Sequence, residues 1–323
     1  MARVLVTGAA GFIGSHLVEA LLARGDTVLG LDNFDPYYDP ARKRANLAEV
    51  AAHPRAAAFS LVDASVCDRG RLRSVMAEFR PERVAHLAGM AGIRASMEQP
   101  HKYYEVNLTG TLNLLDAARE VGAGNFVFAS TSSVYGSGLE LPFHEDAPAD
   151  RPLAPYAASK RAAELLGSTY HHLYGIPFTA LRFFTVYGPR NRPDMMAFKV
   201  VDAILNDREL PLYEGGRMYR DWTYVDDTVA GVLAALERPL GYAVVNLGRG
   251  EPVLLLDFVR HLEQLVGRRA RFCVMPKPGT DASATHADIG KARQLLGYAP
   301  KVGFEAGVER FWRWYQGALL GKN

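Results

Sequence analysis

The chain has little cysteine, little net charge and no long apolar run, and each shortage removes a class of protein. Cys67 and Cys273 are its only cysteines in 323 residues, far apart and without C-x-x-C or histidine-rich surroundings. That pattern suggests neither a disulfide framework nor a metal site, and both are expected to be core thiols of a reducing compartment. A formal net charge of +2 with no basic block argues against nucleic acid or an anionic membrane as partner. No apolar run approaches the ~20 residues that cross a bilayer. Arg3-Val-Leu-Val-Thr7 starts a strand almost at once, leaving no room for a signal peptide. The expectation is a cytoplasmic protein with a small-molecule partner, for which the acceptor-like Asn107-Leu-Thr109 has no meaning.

What is present is periodicity. Hydrophobic residues make up 49% of the chain, enough for a sizeable core. Short β-branched runs near 3–7, 27–31, 58–62, 83–87 and 125–129 alternate with helical patterns near 12–24, 41–52, 69–79 and 100–122. Such alternation predicts an α/β fold built on a doubly wound parallel sheet. A helix over 155–174 and a strand over 177–182 follow, after which the periodicity weakens into loop-rich stretches at Gly188–Pro193, Glu214–Gly216 and Lys277–Gly279. A helix near 226–237 and a strand at 243–247 are expected to rejoin the main sheet. The predicted division is a main domain of 1–182 plus about 222–262, and a smaller C-terminal lobe of about 183–221 plus 263–323.

The first strand runs into Thr7-Gly8-Ala-Ala-Gly11-Phe12-Ile13-Gly14. Its glycines permit a tight turn, close approach of backbone to a pyrophosphate, and close packing of the next helix, on whose N-terminal amides the anion would sit. The spacing G-x-x-G-x-x-G departs from the commoner dinucleotide pattern. About 20 residues on, Asp32 ends the second strand, where a carboxylate bonds a ribose 2′-hydroxyl and repels a 2′-phosphate, arguing for NAD over NADP. Asn33 follows it. Arg42, Lys43 and Arg44 read as a solvated helix face. Asp63, just after the third strand, is placed either to meet the adenine edge or to serve as a turn or cap.

Two further stretches carry reactive groups. Tyr156-Ala-Ala-Ser-Lys160 puts a phenol and an ammonium on one helix face, where the cation can acidify a group with an ordinary pKa near ~10. Ala129-Ser-Thr131-Ser132-Ser133 crowds hydroxyls at the carboxyl end of a strand, where ligands of such sheets bind. Together with the glycine motif, Asp32, His86-Leu87-Ala88-Gly89, Asn107 and Arg220-Asp-Trp-Thr-Tyr-Val-Asp226, these motifs resemble the extended short-chain dehydrogenases acting on nucleotide sugars, the NAD-dependent epimerase/dehydratase family, over nearly the whole chain. The resemblance implies a Rossmann fold, tightly held NAD, a Thr131, Tyr156 and Lys160 catalytic set, and a homodimer formed through the helices near 100–122 and 155–174.

Within that family, dehydratases carry an Asp-Glu pair after the catalytic Ser/Thr, and UDP-xylose-forming decarboxylases a glutamate at the second position. Ser132 and Ser133 stand there instead, which leaves oxidation at C4 and return of the hydride. Leu31-Asp-Asn-Phe34, Tyr37-Tyr-Asp39, Ala91-Gly-Ile-Arg94-Ala-Ser96 and Arg182-Phe-Phe-Thr185-Val-Tyr-Gly-Pro189, with Arg192-Pro-Asp-Met195, look most like UDP-glucuronate 4-epimerases. UDP-glucose and UDP-N-acetylglucosamine 4-epimerases are the alternative. The resemblance implies that Tyr156 removes the C4 hydroxyl proton, aided by Lys160, while Thr131 holds the same oxygen. Arg192 and Arg220 are candidate diphosphate anchors, Arg94 and Arg190 further ones, and Asp281 a nucleotide-ribose contact displaced by an extra residue in Pro278-Gly-Thr-Asp281. Ser132, Ser133 and Thr185 are candidates to orient the sugar carboxylate, with capping of the strand end an equal reading for Ser133. His144, His171 and His172 are expected to be ordinary surface or packing residues. Trp312, Trp314 and Tyr315 are read as core, and Asp226 and Asp227 as helix caps.

Overall fold

Seven parallel strands form the central sheet of the computed structural model, which describes residues 1–321. The chain lays down β1 (Arg3–Thr7), α1 (Phe12–Arg24), β2 (Thr27–Asp32), α2 (Pro40–Ala51), β3 (Phe59–Asp63), α3 (Arg69–Phe79) and β4 (Arg83–His86), close to the bounds that periodicity predicts. Local chemistry sets the ends. The Asp39 carboxylate caps α2 by accepting from the Ala41 amide at 2.9 Å, with Pro40 in the first turn.

The helix predicted over 100–122 is broken. After a short α4 (Ile93–Glu98), it divides into α5 (Pro100–Tyr104), a π-helical turn at Glu105–Thr109, and α6 (Gly110–Val121). The wide turn has a local cause, since Asn107 is fully buried in it and hydrogen-bonds across to Met90 and Ser159. β5 (Asn125–Thr131), a 3-10 turn at Ser132–Tyr135, α7 (Pro155–Tyr174) and β6 (Phe178–Phe183) complete the first half. Strand order is β3, β2, β1, β4, β5, β6, then a last strand over Tyr242–Leu247. The order reverses between β1 and β4, and the crevice outside their carboxyl ends is where such sheets bind ligands.

Beyond β6 the chain is more regular than its weak periodicity implies. It forms β7 (Thr185–Tyr187), α8 (Met196–Leu205), β8 (Glu209–Tyr213), β9 (Tyr219–Tyr224), α9 (Val225–Glu237), β10 (Tyr242–Leu247), β11 (Pro252–Leu254), α10 (Leu255–Val266), β12 (Arg271–Met275), α11 (Gly290–Leu296) and α12 (Phe304–Leu320). As expected, α9 leads into β10, which rejoins the main sheet beside β6. The others pair in two small sheets, β11-β9-β7 and β12-β8. Their strands run three to six residues. Trp222 stacks on Phe258 at 4.2 Å between ring centroids, and Trp312 and Tyr315 are buried, as read from sequence. Cys67 and Cys273 are corrected: both are only half-buried, Cys67 packing against the core from outside it. Among the described residues no helix is long and apolar enough to cross a membrane.

Asp226 and Asp227 are also corrected. Tyr224 is the cap of α9, and both acids lie in its first turn, where they complement the helix dipole. Asp227 additionally accepts from the Lys301 and Val302 amides at 2.8 and 3.0 Å, pinning the chain ahead of α12. Asp221 has a larger task. It is fully buried in β9 and accepts from the backbone amides of Arg249, Gly250 and Ala287 at 2.6–3.0 Å, joining three segments. Replacing one of its oxygens with an amide group would set donors against donors. Asp221→Asn is expected to cost about 2–3 kcal/mol, read as a lower urea midpoint at unchanged slope; an unchanged midpoint contradicts this account.

Candidate active site

The crevice between β1 and β4 is shaped by glycines. Gly8 has φ +71, and a Cβ there would stand 2.8 Å from the Ala88 amide; a Cβ on Gly14 would stand 2.0 Å from the Gly8 carbonyl oxygen. Alanine at either position would fill the space a dinucleotide needs or push α1 away from the loop. Gly11 caps α1 without any side-chain bond, and no acid lies in the first turn, so the amides around Phe12 and Ile13 are open to an anion. At the far side, Ala88 donates to Thr7 Oγ1, Leu87 donates to the Thr7 carbonyl, and a Cβ on Gly89 would meet Lys160 Nζ at 2.8 Å and Asn107 Oδ1 at 2.9 Å. These features fit the bound NAD that the motifs imply. Asp32 is buried at the end of β2 and accepts from Ala10 and Phe34 amides. Asn33 Oδ1 accepts from the Asp35 amide, and Asp63 is exposed at the end of β3, in register with Asp32. Lys43 departs from expectation: it is buried and donates to Asp32 Oδ1 at 3.0 Å, while Arg42 and Arg44 lie over the Phe198 and Phe34 rings.

Opposite the crevice, α7 brings Tyr156, Lys160 and Glu164 onto one face, one turn apart. Burial pushes the Tyr156 phenol up from its ordinary value, while the Thr131 hydroxyl bonded to it and the charge of Arg192 pull it down. Lys160, itself buried, lies one helical turn further on. Its Nζ donates to the Ala129 carbonyl at 2.9 Å and sits 4.7 Å over the Phe128 ring. Burial lowers it to about 8, partly opposed by Glu164. Thr131 also accepts from the Ser133 amide, so its own side chain caps the turn, and its hydroxyl stands 3.2 Å from Ser133 Oγ. Ser132 is half-buried in the same turn, and Thr185 is half-buried at the start of β7.

The arginines separate into different kinds. Arg190 is committed to Glu19 and Glu49, a clamp between α1 and α2 rather than an anchor. Arg192 reaches Tyr156 electrostatically, but its fork is closed on Asp194, with both bonds at 2.9 Å, and Asp194 also accepts from Tyr37 at 3.2 Å. Arg220 donates only to the backbone carbonyls of Tyr219 and Ser283, leaving its guanidinium without a carboxylate partner among the described residues. Arg94 stacks over Tyr213 and stands 3.8 Å from Asp281, which brings two predicted contacts together. His144 is exposed near Asp288, and His171 bonds the Ile176 carbonyl, as expected of residues without a site role.

Sequence reasoning missed several neighbours. Tyr103 stands edge-on to Tyr156 at 6.2 Å, and Asp194 and Tyr37 close over Arg192 from separate loops. Only Glu164 carried a signal, its place two helical turns after Tyr156. It accepts from Ser130, Arg182 and Arg161, with no exposure of its own.

Fold and site together define a dinucleotide-binding α/β protein with a tyrosine–lysine–threonine centre at the sheet's carboxyl end. Residues 4–248 match the NAD dependent epimerase/dehydratase family, and the chain belongs to it. A UDP-glucuronate 4-epimerase of Thermodesulfobacterium geofontis is 41% identical over 315 residues, 97% of this chain and 96% of that one. The solved UDP-glucuronic acid 4-epimerase of Bacillus cereus, in complex with UDP-glucuronic acid and NAD, superposes with a TM-score of 0.90 at 34% identity, covering 98% of this chain and 99% of that one. A Thermotoga maritima UDP-glucose 4-epimerase solved with UDP-glucose gives 0.89 at 29% identity, with the same coverage.

One buried group makes the site acid-sensitive. His86 lies between Thr7 Oγ1 at 2.7 Å and Thr111 Oγ1 at 3.0 Å, and Thr111 donates onward to the Asn107 carbonyl. That direction makes His86 Nε2 the donor and Nδ1 the acceptor, a neutral ring. Burial, with the charge of Lys160, lowers its pKa from 6.5 to about 3. The unfolded chain therefore binds a proton that the native state does not, and stability is lost as pH falls through 6.5 toward 3. Wild type should lose about 1.4 kcal/mol per pH unit in that range beyond a His86→Gln variant, measured by urea unfolding; parallel curves would rule the histidine out.

Proposed function

We propose that this chain is a UDP-glucuronate 4-epimerase that interconverts UDP-glucuronate and UDP-galacturonate. The observation that carries the reading is the turn after Thr131, where Ser132 and Ser133 offer neutral hydroxyls and no carboxylate. Eliminating water from the ring requires an acid and a base beside it, and that pair is missing from the turn. Relatives named as UDP-glucuronate 4-epimerases, which align over nearly the whole chain, support the substrate.

NAD, when bound, supplies the hydride acceptor for C4 and the hydride returned to it. Gly8, Gly11, the amides of Phe12 and Ile13, Asp32, Asn33, Asp63, Leu87–Gly89 and Asn107 are the residues that would hold it, with Lys160 toward the nicotinamide ribose. Tyr156 takes the C4 hydroxyl proton and later restores it, while Thr131 holds the same oxygen within reach. Burial opposes ionisation of the phenol, so the cations beside it decide its acidity: Arg192 already acts, and Lys160 lies one helical turn on. Arg220 and Arg192 are diphosphate anchors, the latter after exchanging Asp194 for phosphate. Arg94 and Asp281 border the nucleotide end.

A 4-keto uronate is a β-keto acid and loses CO2 when its carboxylate bond aligns with the carbonyl π system. Ser132, Ser133 and Thr185 hold the carboxylate out of that alignment through neutral donors. We further propose that residues 1–182 with about 222–262 bind the cofactor and that 183–221 with 263–323 bind the nucleotide sugar. Exposed Tyr104, Leu112, Leu165, Leu173 and Tyr174 on the α5–α6 and α7 helices support a homodimer through those faces, and the protein is read as cytoplasmic.

Three measurements test the reading. UDP-glucuronate, UDP-glucose and UDP-N-acetylglucosamine are offered separately and the products identified by NMR; only the uronate should turn over efficiently, and preference for a neutral sugar would establish the alternative epimerase. Tyr156→Phe should lower kcat by about 10³-fold while the cofactor is retained. Thr185→Val should raise formation of the UDP-4-keto-pentose; no change in that side product removes Thr185 from the carboxylate's surroundings.

A further inference from the structure

Lys43 is the residue whose place the helical pattern concealed. It belongs to an Arg42-Lys43-Arg44 run on the first turns of α2, yet the structure sends its three side chains in different directions. Arg42 lies 4.4 Å over the Phe198 ring and Arg44 4.9 Å over Phe34. Lys43 is 8% exposed, 5.6 Å from the Tyr38 ring centroid, with its ammonium 3.0 Å from Asp32 Oδ1. The carboxylate is thereby nearly saturated. Oδ1 accepts from Lys43 and the Phe34 amide, and Oδ2 from the Ala10 amide at 3.1 Å. A carboxylate has about four lone-pair directions, so one remains, on Oδ2, beside the glycine turn.

That single position suits one ribose hydroxyl. The buried ammonium beside it also cancels much of the negative charge by which Asp32 would repel a 2′-phosphate, and its remaining N–H groups are donors that such a phosphate can use. We propose that Lys43 sets the dinucleotide selectivity of this site, favouring NAD only modestly over its 2′-phosphorylated form. The inference rests on the reading that the glycine turn and Asp32 hold a dinucleotide.

The test uses the holoprotein, equilibrated with NAD and NADP at equal millimolar concentrations, desalted and denatured, with the released dinucleotides quantified by chromatography. Wild type should favour NAD by less than about a hundredfold. Lys43→Met should raise that preference by at least about tenfold, and Lys43→Arg, which keeps the charge, should stay within about threefold of wild type. Release of NAD with no measurable NADP from wild type overturns the proposal, and that measurement stands even if the methionine variant fails to fold. An unchanged or reduced preference in a folded Lys43→Met protein also overturns it, because a mere strut for Asp32 would affect both nucleotides alike. Release of no dinucleotide at all overturns both the proposal and the reading beneath it.

Discussion

The buried carboxylate of Glu164 is the contact on which the arrangement of the site depends. The proposed chemistry needs Tyr156 on α7 and Thr131 on β5 to meet, and nothing local to either element brings them together. Glu164 accepts from Ser130 on β5 at 2.5 Å, and Arg182 on β6 grips it with two bonds at 2.9 and 3.0 Å. Arg161 adds another at 2.9 Å. A charge pair of this kind contributes little net stability, yet removing one partner strands the other and costs about 3–5 kcal/mol. Its effect here is registration. It sets α7 against two strands at the level of Thr131, and two residues beyond β6 the chain turns through Thr185.

Burial governs the titratable groups of this pocket more than any pair does. It raises Tyr156 and lowers Lys160 and His86, so each is pushed toward its neutral form. Arg192 is the cation already in reach, held ready by Asp194 and Tyr37.

The legible part of the fold was the part with repeated local pattern. β1 through β6 and α7 announced themselves because parallel strands buried on both faces and amphipathic helices carry strong periodic signals. The wide turn at Asn107 carried none, since it arises from bonds to Met90 and Ser159, distant in sequence. The lobe's short strands were hidden for a related reason: β7 and β9 exist as strands because they pair, with Thr185 opposite Trp222. Among the candidate site residues, Tyr156, Lys160 and the glycine turn were readable from spacing, whereas Thr131 stood out of a hydroxyl-rich strand end only through the family resemblance. Lys43 was misplaced because a helical pattern shows which residues share a face, not which face is covered.

The sequence by itself determined the alternation of strands and helices, the glycine turn and the identity of the groups available for proton transfer, because each is written within a few neighbouring residues. Tertiary structure alone decided which charges meet: Arg192 closed on Asp194, Arg190 clamped between Glu19 and Glu49, and Lys43 turned inward onto Asp32. Electrostatic partnership falls off with distance in space and with solvent, and both are set by packing between segments far apart along the chain.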